Sequence, residues 1–215
     1  CLNNPLKYTD PTGHSVKSVL QAWLLRQIKP ALTLLAGSVA LIYAVAHLGN
    51  LTNSSINAAL LSLKAFSKAY NGSMQNLLNY VKTIGPTMQK LGATLGEMGQ
   101  AMGVWIARAG YVNHYPPSVG PTKAQRLLDK YTNWLTGLAP KNAGQAGGVA
   151  MMGGGLAAVG KALWGVGSMT VACSYLGPGG AVGGFCVGLF LNWGTLTGGI
   201  SAITGGYGVY QRCRP

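Results

Sequence analysis

The sequence predicts an all-α fold: a membrane-inserting helical bundle with hairpins built from Gly-rich transmembrane segments. Three observations point there. The 215 residues contain 16 Lys+Arg and 3 Asp+Glu, and charged residues make up 9% of the chain, against about 25% in an ordinary soluble domain. The charges are also segregated: 30–63 has none, 64–141 carries nine basic and two acidic groups, and 142–211 carries only Lys161. Gly occurs 33 times, with 21 of these between 143 and 210, among Ala, Leu, Val and Thr. A soluble helix needs a polar outer face, and these stretches have almost nothing to build one with.

The first 14 residues are polar and turn-rich, without the apolar run of a signal peptide. A chain opening on Cys reads as a piece of something longer. Within it, Asp10-Pro11-Thr12-Gly13 reads as a β-turn, with Pro at its second position and Gly at its fourth. Ser15 caps a helix over Val16–Ile28, whose Val16, Val19, Leu20, Trp23, Leu24 and Ile28 form one apolar stripe. Pro30 then kinks or restarts the chain.

Residues 31–49 are uncharged, and at ~1.5 Å per residue a helix there spans about 28 Å, close to a bilayer's ~30 Å hydrocarbon core. A longer amphipathic helix is expected over 53–84, with a break at Asn71-Gly72, and Pro86 is expected to open the next one. In that helix Met88, Leu91, Leu95, Met98, Met102 and Trp105 alternate spacings of three and four, the seam of a packed pair. Gly92, Gly96, Gly99 and Gly103 run beside the seam; together they should cost about 4 kcal/mol relative to Ala, which close backbone approach of a neighbour would offset.

Residues 111–121, with Pro116, Pro117, Gly120 and Pro121, read as a linker between an N-terminal helical half (15–110) and a C-terminal one (122–215). The helix over 122–138 puts Leu127, Leu128, Tyr131, Trp134, Leu135 and Leu138 on one face and Lys123, Arg126, Asp129 and Lys130 on the other. That pattern suits a helix on anionic lipid, with Lys123, Arg126, Lys130 and Trp134 as docking residues; it suits a soluble bundle helix equally.

Beyond it, two helical segments are expected at roughly 147–175 and 181–209, with a turn at Gly177-Pro178-Gly179-Gly180. A β-rich alternative stays open after Gly194. Gly144/Gly148, Gly179/Gly183, Gly180/Gly184, Gly184/Gly188 and Gly194/Gly198 are GxxxG pairs, which let helices touch along their backbones in lipid. Lys161 is expensive within a membrane and is expected to face a cavity, a partner or an interface. It and the Gly180–Gly188 run are the residues on which insertion is expected to depend. Cys173 and Cys186 flank the turn, leaving open a disulfide across it or two small apolar side chains.

The run Asn3-Asn4-Pro5-Leu6-Lys7-Tyr8-Thr9-Asp10-Pro11-Thr12-Gly13 resembles the NNPLxYxDPxG motif that closes the Rhs/YD-repeat shell of bacterial polymorphic toxins. The resemblance implies that 1–14 ends such a shell, that Asp10, Pro11, Gly13 and His14 belong to its self-cleavage motif, and that a toxic payload begins near Ser15. The family usually has an apolar residue where this chain has His14. The resemblance further implies secretion, an upstream shell as partner and an immunity protein, expected to be membrane-bound.

Catalytic chemistry is poorly provided for. Asp10, Glu97 and Asp129 are the whole acidic inventory, and His14, His47 and His114 lie in unlike contexts. There is no CxxC, no HExxH and no phosphate-loop motif. No catalytic residue, metal site or cofactor is assigned. The basic residues lack a cluster of the kind that tracks nucleic acid, so nucleic acid is not favoured as a partner. The expected function is therefore a secreted antagonistic toxin acting on target-cell membrane lipids, as a pore or depolarising agent, alone or as a homo-oligomer. The alternative is an enzymatic toxin, a nuclease or transferase, whose apolar segments serve translocation.

Overall fold

The chain divides into two compact units, Cys1–Gly37 and Ser38–Pro215. The computed structural model describes residues 74–111 and 119–214, with isolated positions between 26 and 65. The motif residues Asp10, Pro11, Gly13 and His14, the helix expected over Val16–Ile28 except Arg26, and all of 31–49 except Tyr43 lie outside the described residues. Among the described residues every regular element is a helix: α1 (Met74–Arg108), α2 (Pro121–Gly137), α3 (Ala143–Cys173) and α4 (Gly177–Arg212). The all-α class is as expected, and the β-rich alternative after Gly194 is overturned by the unbroken helix there.

Helix α1 runs through Pro86 instead of starting at it. An interior Pro costs about 3 kcal/mol through its lost hydrogen bond and its ring. The reason it is tolerated is the stripe it interrupts: Tyr80, Val81 and Ile84 before it and Met88, Leu91, Leu95, Met98 and Met102 after it are all buried on one face. A break at Pro86 would separate these two halves of one core surface, while Pro86 itself points outward. Gly110, at φ 80°, ends the helix in the left-handed region, with Tyr111 N–H donating to Ile106 O at 3.2 Å.

Helix α2 begins with Pro121 in its first turn, as its fixed φ favours. It lays Ala124, Leu127, Leu128, Tyr131, Trp134 and Leu135 inward. At its other face Lys130 is ion-paired with Glu97 of α1. Tyr131 donates to the same carboxylate at 3.2 Å. The Pro-rich stretch 111–121 thus connects two helices that pack on each other.

Helix α3 starts four residues earlier than its hydrophobic pattern suggested, because Asn142 caps it. Its Oδ1 accepts from Gln145 N at 2.8 Å, and Gln145 Oε1 accepts from Lys141 N at 2.7 Å. The helix ends in a 3-10 turn, Ser174–Leu176, and Gly177 at φ 83° swings the chain back into α4. The reversal therefore spans Ser174–Gly177 and takes in only the first residue of the Gly-Pro-Gly-Gly run expected to form it, and Pro178 lies in the first turn of α4.

Candidate membrane-insertion unit

Helix α3 lies antiparallel between α1 and α4, and glycine makes both contacts. On the α1 side, a Cβ added to Gly92 would sit 2.5 Å from Gly160 O, one on Gly99 2.5 Å from Gly153 O, and one on Gly167 2.7 Å from Gly85 O. On the α4 side, Gly148 meets Gly206 O at 2.7 Å and Gly155 meets Gly199 O at 2.6 Å by the same construction. Backbones this close gain dispersion and Cα–H···O contacts that a side chain would forfeit.

The expected Gly-packing residues divide. Gly92 and Gly99 meet α3. The Cβ direction of Gly96 is open, although its amide nitrogen lies 2.6 Å from where a Gly160 Cβ would be. Gly103 is half-buried. The Gly180, Gly184 and Gly188 run does pack: their Cβ positions would collide with Cys173 O, Met169 O and Val166 Cα respectively. Gly179, Gly183, Gly194 and Gly198 face open space, so two GxxxG pairs make no helix contact. The pattern missed in the sequence has a period of seven: Gly85/Gly92/Gly99 and Gly153/Gly160/Gly167 on one interface, Gly148/Gly155 and Gly199/Gly206 on the other. A seven-residue repeat keeps a seam facing its partner along the whole helix.

Two helical stretches are long and apolar enough to cross a membrane, Ala143–Leu176 and Gly179–Arg212. They differ in how much neighbours cover them, 56% of the first apolar window being buried and 28% of the second. The uncovered side of α4 carries Val187, Phe190, Leu191 and Trp193, and Phe190 is 82% exposed. Tyr175 and Leu176 extend this apolar surface onto the turn, 82% and 65% exposed. Three polar side chains of α4 bond to their own helix: Asn192 Nδ2 to Gly188 O at 2.8 Å, Thr197 Oγ1 to Trp193 O and Thr204 Oγ1 to Ile200 O, each at 3.0 Å. Such back-bonding leaves a helix surface with few unmet polar groups. Between 162 and 211 there is no charged residue. Lys161 is exposed on the outer side of α3, away from the α1 and α4 contacts, and lines no described cavity.

Of the expected docking residues, Lys123, Arg126 and Lys130 are exposed on α2, with Lys130 tied to Glu97. Trp134 corrects the expectation: it is 0% exposed, edge-on to Tyr131 with ring centroids 6.1 Å apart, so its indole is held in the core. The apolar face of α2 is taken by a neighbouring helix, which the sequence pattern alone did not distinguish from lipid. Cys173 and Cys186 are free and half-buried. They do not pair: the Cys173 Cβ lies on the Gly184 side of α4. Among the described residues no cluster of His, Cys, Asp and Glu could hold a metal ion. Comparison with protein-family models, curated proteins and solved structures finds no match.

Proposed function

We propose that the chain from about Ser15 onward is the payload of a secreted bacterial antagonistic toxin, carried behind the end of an Rhs/YD-repeat shell, that inserts into the target-cell membrane and forms a pore or depolarises it. The observation that carries this is the outer surface of α4. It carries no charge before Arg212 in its last turn, it exposes Val187, Phe190, Leu191 and Trp193, and only 28% of its apolar window is covered. A core helix of a soluble protein of the same composition is mostly enclosed, and leaving one open to water is unfavourable by about 25 cal/mol per Å2 of apolar surface.

The charge layout supports a direction of insertion. The turn between α3 and α4 is apolar and uncharged, while Lys141, Arg212 and Arg214 sit at the opposite end of the hairpin. The turn enters first and the basic end stays with anionic headgroups, where each Lys or Arg contributes about 1 kcal/mol. Lys161 lies fifteen residues before Leu176, about 22 Å along the helix at ~1.5 Å per residue. With the turn at the far side of a ~30 Å core, its Cα is about 8 Å below the near surface, within reach of a snorkelling ammonium. The proposed partners are membrane lipids, a membrane-bound immunity protein and further copies of the chain.

The test is dye release. Full-length protein added to vesicles of phosphatidylglycerol mixed into phosphatidylcholine is expected to release an entrapped dye, and to release less from vesicles of phosphatidylcholine alone. Intact vesicles combined with cleavage of added DNA or RNA would replace this reading with the enzymatic one.

A further inference from the structure

We propose that the cavity at the base of the α3–α4 hairpin is a phosphate site, filled during docking by the phosphate group of an anionic phospholipid; the lipid assignment rests on the membrane reading above. The cavity has a volume of about 340 Å3 and is lined by Thr136, Lys141, Gln145, Tyr210 and Arg214 among others. That size falls in the range of small-ligand sites, about 300–1,000 Å3.

Its chemistry is that of a donor set for an acceptor-only anion. Lys141 and Arg214 supply two positive charges, and no carboxylate lines the cavity. Neither cation is ion-paired among the described residues, where Lys130–Glu97 is the salt bridge present. The exposed Arg214 guanidinium lies over the Tyr210 ring, 5.7 Å from its centroid. Gln145 is 2% exposed yet lines the cavity. Its Oε1 accepts from Lys141 N, so its amide nitrogen is the group left over, and that nitrogen makes no hydrogen bond among the described residues. That nitrogen is open to the cavity and can donate to an incoming phosphate oxygen. Arg, Lys and amide N–H groups around one hollow are the donors a phosphate diester accepts from.

The cavity lies where α3 begins and α4 ends, at the basic end of the hairpin, opposite the apolar turn.

The experiment compares full-length wild type with Arg214→Lys and Gln145→Leu. Neither substitution changes the net charge, so diffuse attraction to an anionic surface predicts no effect. The site predicts that each weakens binding to phosphatidylglycerol-containing vesicles about tenfold, the loss typical of one hydrogen bond to a charged group. Glycerol phosphate is expected to compete for vesicle binding by wild type. It is also expected to raise the melting temperature of wild type and not of Arg214→Lys.

Wild-type vesicle affinity in Arg214→Lys overturns the proposal, even if Gln145→Leu is impaired, because Gln145 also helps cap α3. Binding of inorganic phosphate with no effect of either substitution on vesicle affinity overturns the lipid assignment. If vesicles stay intact and unbound while glycerol phosphate still binds through Arg214, the membrane reading fails and the phosphate site stands. If vesicles leak equally with all three proteins, the site fails and the membrane reading stands.

Discussion

The α1–α2 pair and the α3–α4 hairpin solve the same packing problem in different ways. In the first pair the apolar faces meet, and the outward faces carry Lys82, Lys90, Lys123, Arg126, Asp129 and Lys130. Large side chains fill its core, with Tyr131 and Trp134 at 1% and 0% exposure. In the hairpin the contact is made by glycine backbones, and large apolar residues are left on the outside of α4. Water drives the first arrangement, because burying Leu, Met and Trp removes apolar area from it. The membrane reading proposed above accounts for the second, because lipid removes that driving force and leaves close backbone contact between small residues. Helix α3 belongs to both, since it presents one glycine row to α1 and another to α4.

The sharpest way to break the comparison is to put charge on the hairpin's outer face. Phe190 and Leu191 are 82% and 66% exposed, so Phe190→Asp with Leu191→Asp should leave helicity and melting in water nearly unchanged. In a bilayer each Asp costs about 3 kcal/mol at the helix centre, together about 6 kcal/mol, and dye release should fall to background. The same change on α2, Asn133→Asp, should leave dye release close to wild type. Undiminished leakage from the doubly substituted protein would sink the assignment of α4 as a membrane segment.

Glycine rows give a second and smaller effect, with opposite signs inside one helix. Gly92→Ala places a Cβ against Gly160 O and Trp164 N, both backbone atoms that cannot swing aside. It should destabilise the protein by about 1–3 kcal/mol, as overpacking does. Gly96→Ala, one turn on, points into open space and should stabilise by up to about 1 kcal/mol from helix propensity alone. Urea titration of both variants measures this. Equal effects would mean that the glycine row is not the contact between α1 and α3.

That reversal also marks what the sequence could and could not reveal. The seam Met88–Met102, the bounds of α2 to within a residue and the hairpin with its turn near 177 follow from periodicity, Pro and Gly placement, and absence of charge. The docking role given to Trp134 was not decidable from its spacing, because a Leu/Trp stripe looks alike whether lipid or α1 covers it. Gly92 and Gly96 were not separable by a four-residue scan, since the α1–α3 contact repeats every seven. The local cost of Pro86 predicts a helix start, whereas the buried stripe on both sides of it keeps the helix unbroken. The cavity at the hairpin base could not be anticipated: Lys141, Gln145, Tyr210 and Arg214 meet only because α3 and α4 run antiparallel. The Asn142–Gln145 cap beside it was readable as Asn-x-x-Gln.

The smallest effect tests the water-facing pair. Lys130 and Glu97 side chains are 55% and 42% exposed, so Glu97→Gln should cost less than about 1 kcal/mol at neutral pH. Its clearer signature is alkaline. Burial first, then the charge of Glu97 and the hydrogen bond to it, push the Tyr131 phenol well above its ordinary value of 10.0. Below that pH the phenol is protonated in both folded and unfolded chains and contributes no pH dependence. Above it the unfolded chain ionises first, so stability falls as pH rises. Tyr80 contributes in the same direction through burial, and both proteins in the comparison share it. Glu97→Gln removes the carboxylate's share of the Tyr131 shift and leaves that of burial, so the variant should lose less stability than wild type between pH 10 and the alkaline limit. Melting curves that fall in parallel for the two proteins would show that the carboxylate does not act on Tyr131. The α1–α2 contact would then be held by its apolar face alone.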